Sequence, residues 1–342
     1  MPNYKLALLG FGNVGRALAN LLMLKRTELK QRYDIGFTVT GIATLRHGSV
    51  VNPSGIDLTG ALELVRSGRG LSLTTTTLIA DPLDFVRKCG ADVLFENTPV
   101  NHATGQPAID HLRTALELGM HAITANKGPV VYAYRELAEL ARARGRRFLF
   151  ESTVMDGAPV FSLFRRALPG AQLQSFRGIL NSTTNLILTR MESGESFEQA
   201  VAYAQSVGLA ETDPSADVDG WDAAIKVAAL VTVLMDLPLL PGQVERTGIR
   251  EIGAKQIAAA RAENLRWKLV CSAERAGDGV RARVAPELVA PTSPLYSVDG
   301  SSSAVEFKTD VLNSLSVVEG NPGPVTTAYG LLADFINAVT GG

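Results

Sequence analysis

The sequence predicts an α/β protein: a Rossmann-type doubly wound parallel sheet joined to a second domain of α+β character. Three observations carry that expectation. Residues 5–9 and 37–43 are near-continuous apolar runs separated by a helical pattern, the form taken by strands of a parallel sheet covered on both faces. Between the first run and the helix stands Gly10-Phe-Gly12-Asn-Val-Gly15, a glycine turn in a βαβ frame. After about residue 150 the alternation gives way to helices followed by a group of strand-like segments. A chain of 342 residues also exceeds what one core usually holds, so two domains are expected.

Taken in order, a strand over 5–9 leads through the glycine turn into a helix over 16–29 and a second strand over 37–43. Further strands are expected at 73–79, 92–96, 121–124 and 147–151, with helices between most of them, including 108–118 and 131–143. Beyond residue 150, helices over 197–207 and 221–235 precede strands at 269–275, 280–288 and 304–310. A Gly-Pro-rich turn at 319–324 then leads into a helix over 325–339, which can return the chain to the first domain. The expected boundaries are 1–150 with a C-terminal helix of about 320–342, and 151–319.

With 46% hydrophobic residues, 20% charged and a formal net charge of -1, nothing attracts the chain to nucleic acid or an anionic membrane. No apolar run approaches the ~20 residues of a membrane span, and the N-terminus lacks the pattern of a signal peptide. Cys89 and Cys271 have no CxxC spacing. Together these features point to a cytoplasmic protein.

The glycine turn is the first candidate site. Gly10 permits the tight turn, Gly12 removes a side chain that would block a pyrophosphate, and Gly15 lets helix pack on strand, so Gly10, Phe11, Gly12, Asn13, Val14 and Gly15 form a dinucleotide-binding segment. The following helix start offers unpaired N–H groups to phosphates. No carboxylate closes the second strand. Thr44 stands there with Arg46 two residues on, and an arginine can pair a 2′-phosphate, which makes NADP the preferred cofactor and NAD the alternative. A solvated arginine is the competing reading, and His47 reads as a loop residue.

Two more strand ends carry polar motifs, Glu96-Asn97-Thr98-Pro99 and Thr124-Ala-Asn126-Lys127-Gly-Pro129, at the edge where open α/β sheets bind ligands. The second domain concentrates Glu211, Asp213, Asp217 and Asp219 before a helix whose Ile225, Val227, Ala228 and Ala229 mark it as buried. Asp219 is expected to cap that helix, Asp213-Pro214 suits a turn, and Asp222 with Lys226 can form a plain i,i+4 ion pair. His102, His111 and His121 lack metal-ligand spacing and read as structural.

Together, GFGNVG, ENTP, TANKGP and the spacing of Glu211, Asp213, Pro214, Asp217, Gly220, Asp222 and Lys226 make the chain similar to the homoserine dehydrogenases over about residues 1–335. Residues 178–185 also resemble that family's GxxNGTTN stretch, with Ser182 in place of a glycine, and the chain is too short for the ACT regulatory domain that some relatives carry. The resemblance implies NAD(P)-linked interconversion of L-homoserine and L-aspartate 4-semialdehyde by a homodimer, with a nucleotide-binding domain and a substrate and dimerisation domain. It makes Lys226 the proton donor and acceptor and Lys127 a second active-site lysine, near nicotinamide and substrate. Glu211, Asp217, Asp222 and Thr183 would hold the substrate, while Asn97, Thr98 and Pro99 would line the nicotinamide side. It further suggests a monovalent cation held by Glu151 and the carbonyls of Val154, Asp156 and Ala158, although Met155 and Asp156 stand where relatives usually have glycines.

Such chemistry suits these residue types. Hydride reduction of an aldehyde leaves an alkoxide, which needs a cation or acid at its oxygen, and the reverse reaction needs a base. Carboxylates would bind the substrate's ammonium. Two rivals stay open at this stage: a related dehydrogenase of another hydroxy amino acid, and a non-catalytic dinucleotide sensor, which would have no use for both lysines.

Overall fold

The computed structural model describes residues 1–71 and 78–341. The strand expected over 73–79 therefore lies largely outside the described residues. The chain divides into two compact units, Met1–Gly157 with Gly323–Gly342, and Ala158–Pro322.

The first unit runs β1 (Asn3–Leu9), α1 (Asn13–Tyr33), β2 (Gly36–Thr44), β3 (Gly48–Val51), α2 (Leu58–Arg66), α3 (Pro82–Lys88), β4 (Val93–Glu96), α4 (Ala108–Glu117), β5 (His121–Thr124), α5 (Lys127–Tyr132), α6 (Tyr134–Ala143) and β6 (Phe148–Leu149). Its sheet has the order β3-β2-β1-β4-β5-β6 and is parallel apart from β3, which pairs antiparallel with β2. Alternate residues of β1 enter different cores: Leu6 and Leu8 join one, Ala7 and Leu9 the other. That is why the strand is apolar throughout and does not alternate with polar residues. With β2 on one side of β1 and β4 on the other, chain direction switches at β1, and a crevice opens beyond its C-terminal end.

Two expectations in this unit need correction. The strand over 147–151 shortens to Phe148–Leu149, because Glu151 starts a 3-10 turn and gives its N–H to Asp334 Oδ2 at 2.7 Å, not to a neighbouring strand. The helix over 131–143 is two helices. α5 already starts at Lys127, where Asn126 Oδ1 accepts the Gly128 N–H at 3.0 Å, and it breaks from α6 at Ala133, whose φ is −141°.

The second unit contains α7 (Val160–Ser162), β7 (Leu173–Ile179), α8 (Ser182–Glu192), α9 (Phe197–Ser206), α10 (Ser215–Val218), α11 (Trp221–Leu234), β8 (Glu245–Arg246), α12 (Ala254–Ala262), β9 (Arg266–Ala276), β10 (Gly279–Val289), β11 (Ser303–Thr309) and β12 (Leu315–Glu319). Its sheet order is β12-β11-β7-β9-β10-β8, antiparallel except for the short β8–β10 pair. Gly178 on central β7 is pressed close by β11: a Cβ there would lie 2.5 Å from the Ala304 carbonyl oxygen. Helix α11 buries Ala223 to Ile225 and Val227 to Thr232, leaving Lys226 as the half-buried exception.

The chain then re-enters the first unit as α13 (Pro324–Val339). Ala328, Leu331, Leu332, Phe335 and Ala338 complete the core against α1, and the Phe335 ring meets Tyr4 and Phe95 edge-on at centroid distances of 6.0 and 6.1 Å.

Candidate active site

In the first unit, the three motif glycines do different things. Gly10 has φ +98°, and a Cβ on it would stand 2.4 Å from the Asn97 carbonyl oxygen; one on Gly15 would stand 2.3 Å from that of Gly10. Both are required by packing. A Cβ on Gly12 would meet no described atom within 4 Å, so this glycine keeps open a space that the protein itself does not fill. The turn is fixed by the Gly10 N–H donating to Ala43 O at 2.9 Å and the Asn97 N–H donating to Leu9 O at 2.7 Å. Among the described residues no side chain caps α1 and its first turn holds no acid, leaving its N–H groups and positive dipole end for an anion. Phe11 is buried, Val14 half-buried, and Asn13 exposed, its Oδ1 accepting from Arg16 at 2.7 Å.

Beside this turn, both Oδ1 and Nδ2 of Asn97 are buried and without a hydrogen-bond partner among the described residues. Leaving such groups unmet costs about 1–3 kcal/mol each, so an orphaned amide at a ligand crevice points to a ligand carrying both a donor and an acceptor. Its neighbours are held firmly. Fully buried Glu96 accepts from the backbone N–H and hydroxyl of Thr98 and from Thr124 Oγ1 at 2.9 Å, and His111 Nδ1 lies 3.8 Å from it. Asn126 Nδ2 donates to Thr98 O at 3.2 Å, while Pro99 is exposed. Lys127, half-buried, is the first residue of α5. At the end of β2, Thr44 Oγ1 accepts the His47 N–H at 2.6 Å, which turns the chain and leaves Arg46 exposed. The open space at Gly12, the uncapped helix start and the orphaned carboxamide together fit a dinucleotide with a carboxamide ring.

In the second unit, Lys226 donates to Leu180 O at 2.6 Å and lies 3.5 Å from Asp222, with only 12% and 16% of the two side chains exposed. Asn181 Nδ2 donates to Asp217 Oδ1 at 2.7 Å and to Asp222 Oδ2 at 3.0 Å. Burial, and then the charge of Asp222, raise the Asp217 carboxyl above its ordinary pKa; Asn181, Lys226 and Thr183 pull the other way. The structure thus brings Asp217, Asp222, Lys226 and Thr183 together. Thr183 also donates to Leu209 O at 3.1 Å.

Glu211 is exposed, and its carbonyl, not its carboxylate, accepts from Gln205 at 3.1 Å. Asp213 makes a local turn, accepting the Ser215 N–H at 3.0 Å. The expected Asp219 cap is incorrect. Gly220, at φ +80°, occupies the cap position of α11 with no side-chain cap, and the Asp219 carboxylate is drawn away by Arg250, whose Nη2 donates to Oδ2 at 3.2 Å. The site residue that the sequence reading omitted is Asn181. Its signal in the sequence is its place as the first asparagine of the 178–185 stretch that resembles GxxNGTTN.

The 151–158 turn keeps Glu151 buried, and Asp156 takes φ +40°, the left-handed region that its glycine counterpart would favour. The Ala158 carbonyl is already occupied by the Val160 N–H at 2.8 Å.

A dinucleotide crevice in one unit and a lysine against paired carboxylates in the other define a nicotinamide-dependent oxidoreductase of an amino-bearing substrate. The comparisons narrow this. A family model for the NAD-binding domain of homoserine dehydrogenase matches residues 10–151, and the homoserine dehydrogenase model matches 159–336. The chain is 40% identical to an NAD(+)-dependent homoserine dehydrogenase of Pseudomonas canavaninivorans, covering 98% of this chain and 96% of that one. It is 35% identical to the homoserine dehydrogenase of Methanocaldococcus jannaschii over 96% of this chain and 97% of that one. Among solved structures, a putative homoserine dehydrogenase from Archaeoglobus fulgidus superposes with a TM-score of 0.86 at 32% identity, covering 98% of each chain. A hyperthermophilic archaeal homoserine dehydrogenase in complex with NADPH gives 0.84 at 29%, covering 100% of this chain and 99% of that one. The chain belongs to the homoserine dehydrogenase family. It is an NAD(P)-dependent oxidoreductase of the L-homoserine and L-aspartate 4-semialdehyde couple.

Proposed function

We propose that Lys226 is the proton donor and acceptor of this reaction, and that Asp217 and Asp222 hold the substrate's ammonium with help from Thr183 and Glu211. The carrying observation is the cluster itself: an ammonium 2.6 Å from a carbonyl and 3.5 Å from a carboxylate, on a helix that is otherwise apolar and buried from Ala223 to Val231. When bound, the nicotinamide supplies or takes up the hydride. Lys226 gives a proton to the carbonyl oxygen in reduction and removes it from the hydroxyl in oxidation. In the first unit, the Gly10–Gly15 segment with Phe11, Asn13 and Val14 holds the pyrophosphate. Asn97, Thr98 and Pro99 hold the carboxamide side, and Lys127 is a second active-site lysine near the nicotinamide. Replacing Lys226 with Met tests the assignment: turnover of homoserine should collapse while cofactor affinity, read by nucleotide fluorescence, stays near wild type. Near-normal turnover would overturn it.

Arg46, exposed beside Thr44 with no carboxylate closing β2, supports NADP as the preferred cofactor. NAD is the second reading, favoured by the name of the relative from P. canavaninivorans. The ratio of kcat/KM for the two cofactors decides between them. A monovalent cation at Glu151 and the carbonyls of Val154, Asp156 and Ala158 is supported by hard oxygen donors and the left-handed backbone of Asp156; activity that does not change when sodium and potassium are exchanged for a bulky organic cation would remove it. A homodimer formed through residues 158–322 accords with exposed Leu288, Val311 and Val318, and sedimentation tests it. The two buried free thiols, Cys89 and Cys271, accord with a cytoplasmic location.

A further inference from the structure

The turn between β7 and α8 is two residues long, Leu180 and Asn181, and the charged groups of the second unit's cluster all hang on it. Leu180 supplies the carbonyl that accepts from Lys226. Asn181 is 3% exposed, and its side chain makes three hydrogen bonds. Oδ1 accepts the Thr184 N–H at 2.8 Å and so caps α8. That bond fixes which way the amide faces, because the reverse orientation would set its oxygen against two carboxylates. An amide nitrogen carries two hydrogens. Here one goes to Asp217 on α10 at 2.7 Å and the other to Asp222 on α11 at 3.0 Å.

We infer that Asn181 is a positioning residue for the reaction: by donating to both carboxylates it sets their spacing and lets both stay ionised, so that the pair meets the amino group of the substrate as two charges.

Two like charges held close in a buried place favour proton uptake by one of them. The Asp217 carboxyl shows this tendency, raised by burial first and by Asp222 second, while donation from Asn181 opposes it. The remaining groups facing the cluster do not replace that donor. Cys271 on β9 is held neutral, its thiol pushed up to about 12 chiefly by burial, and Glu287 on β10 is a further carboxylate. That Glu287 is paired with Arg177 at 2.6 Å, and Lys226 adds positive charge at the longer distance of 3.5 Å from Asp222.

The inference rests on the reading of Asp217 and Asp222 as the ammonium clamp, so its test carries a separate control. Asn181→Ser and Asn181→Asp both keep an oxygen that can cap α8 but lose the amide donor. In the full-length enzyme we expect each to raise the KM for homoserine about tenfold or more, the effect of losing one charge-assisted contact. kcat and the cofactor KM should change far less. The acid limb of kcat/KM in the Ser variant should move to higher pH, because Asp217 is then protonated more readily. The melting temperature of the Ser variant should stay close to wild type, while that of the Asp variant, with a third carboxylate beside two, should fall. Unchanged homoserine KM and an unchanged acid limb in both variants would overturn the inference. So would a loss of activity in the Ser variant that tracks a fallen melting temperature and returns on cooling, since that is a folding role. Asp217→Asn is the control. If it raises KM while the Asn181 variants are silent, only the positioning role fails; if it too leaves KM untouched, the clamp itself is wrong.

Discussion

The nucleotide crevice of the first unit and the acidic cluster of the second recognise charge by opposite means. The crevice uses uncharged groups: a helix start without a cap, a glycine whose missing Cβ leaves open space, and the buried Asn97 carboxamide, without a partner among the described residues. The cluster uses ionised side chains from two helices, held by an amide and a carbonyl of a third segment. Partial charges fixed in a backbone need no proton bookkeeping and are indifferent to pH. Ionised groups in a half-buried cluster can catalyse, but their charge depends on neighbours.

Substitutions can break or sharpen this contrast. The largest effect is expected at Lys226→Met, where kcat should fall by about three orders of magnitude, the range of a lost general acid and base, with the cofactor dissociation constant unmoved. Next comes Gly12→Val, which should raise the cofactor KM by one to two orders of magnitude and leave the melting temperature nearly alone, because its new side chain enters space that only a ligand needs. Gly10→Ala is its foil. There both φ and the Asn97 carbonyl oppose a Cβ, so thermal unfolding should show a loss of about 1–3 kcal/mol.

A smaller effect, of mixed sign, is expected at Asp217→Asn. The KM for homoserine should rise about tenfold, yet the protein should become more stable near neutral pH. Since the folded-state pKa of Asp217 is raised, its carboxyl favours the fold only while protonated. That contribution is complete below the unfolded carboxylate range and is lost as pH rises through the folded value. The variant's advantage should therefore vanish in acid, which denaturation at two pH values will show. The smallest change is expected at Arg46→Ala: a several-fold drop in the NADP to NAD ratio of kcat/KM, as one exposed phosphate contact is removed.

The two regions also differ in how much of them the sequence discloses. The βαβ start was legible because β1 faces two cores and so cannot alternate, and because its turn tolerates only glycine at two of three positions. The second unit disclosed β9, β10 and β11 but not the edge strands β8 and β12, nor β7, whose Gln174, Ser175 and Arg177 interrupt the apolar pattern although it lies near the middle of the sheet. With β7 unseen, the turn after it could not be placed. Asn181 was legible only as part of a family-like stretch; that it caps α8 and that it pairs with carboxylates 36 and 41 residues away came with the fold. The Asp219 error has the same origin, since Arg250, 31 residues on, outcompetes the local helix end for that carboxylate. Local rules find groups that work by backbone geometry; groups that work by pairing are found only once the partners are in place.

The return of α13 has a consequence for how the molecule is made. Ribosomes deliver the chain from its first residue, so Tyr4 and Phe95 emerge long before Phe335, the ring that covers them. All of Ala158–Pro322 must be translated in between, a delay on the order of ten seconds. During that interval the older unit has an uncovered apolar wall, and at its end the younger unit is complete in sequence before the older one is. The unit begun first is thus completed after the second, and the nascent enzyme reaches its complete nucleotide-binding body only once α13 has emerged.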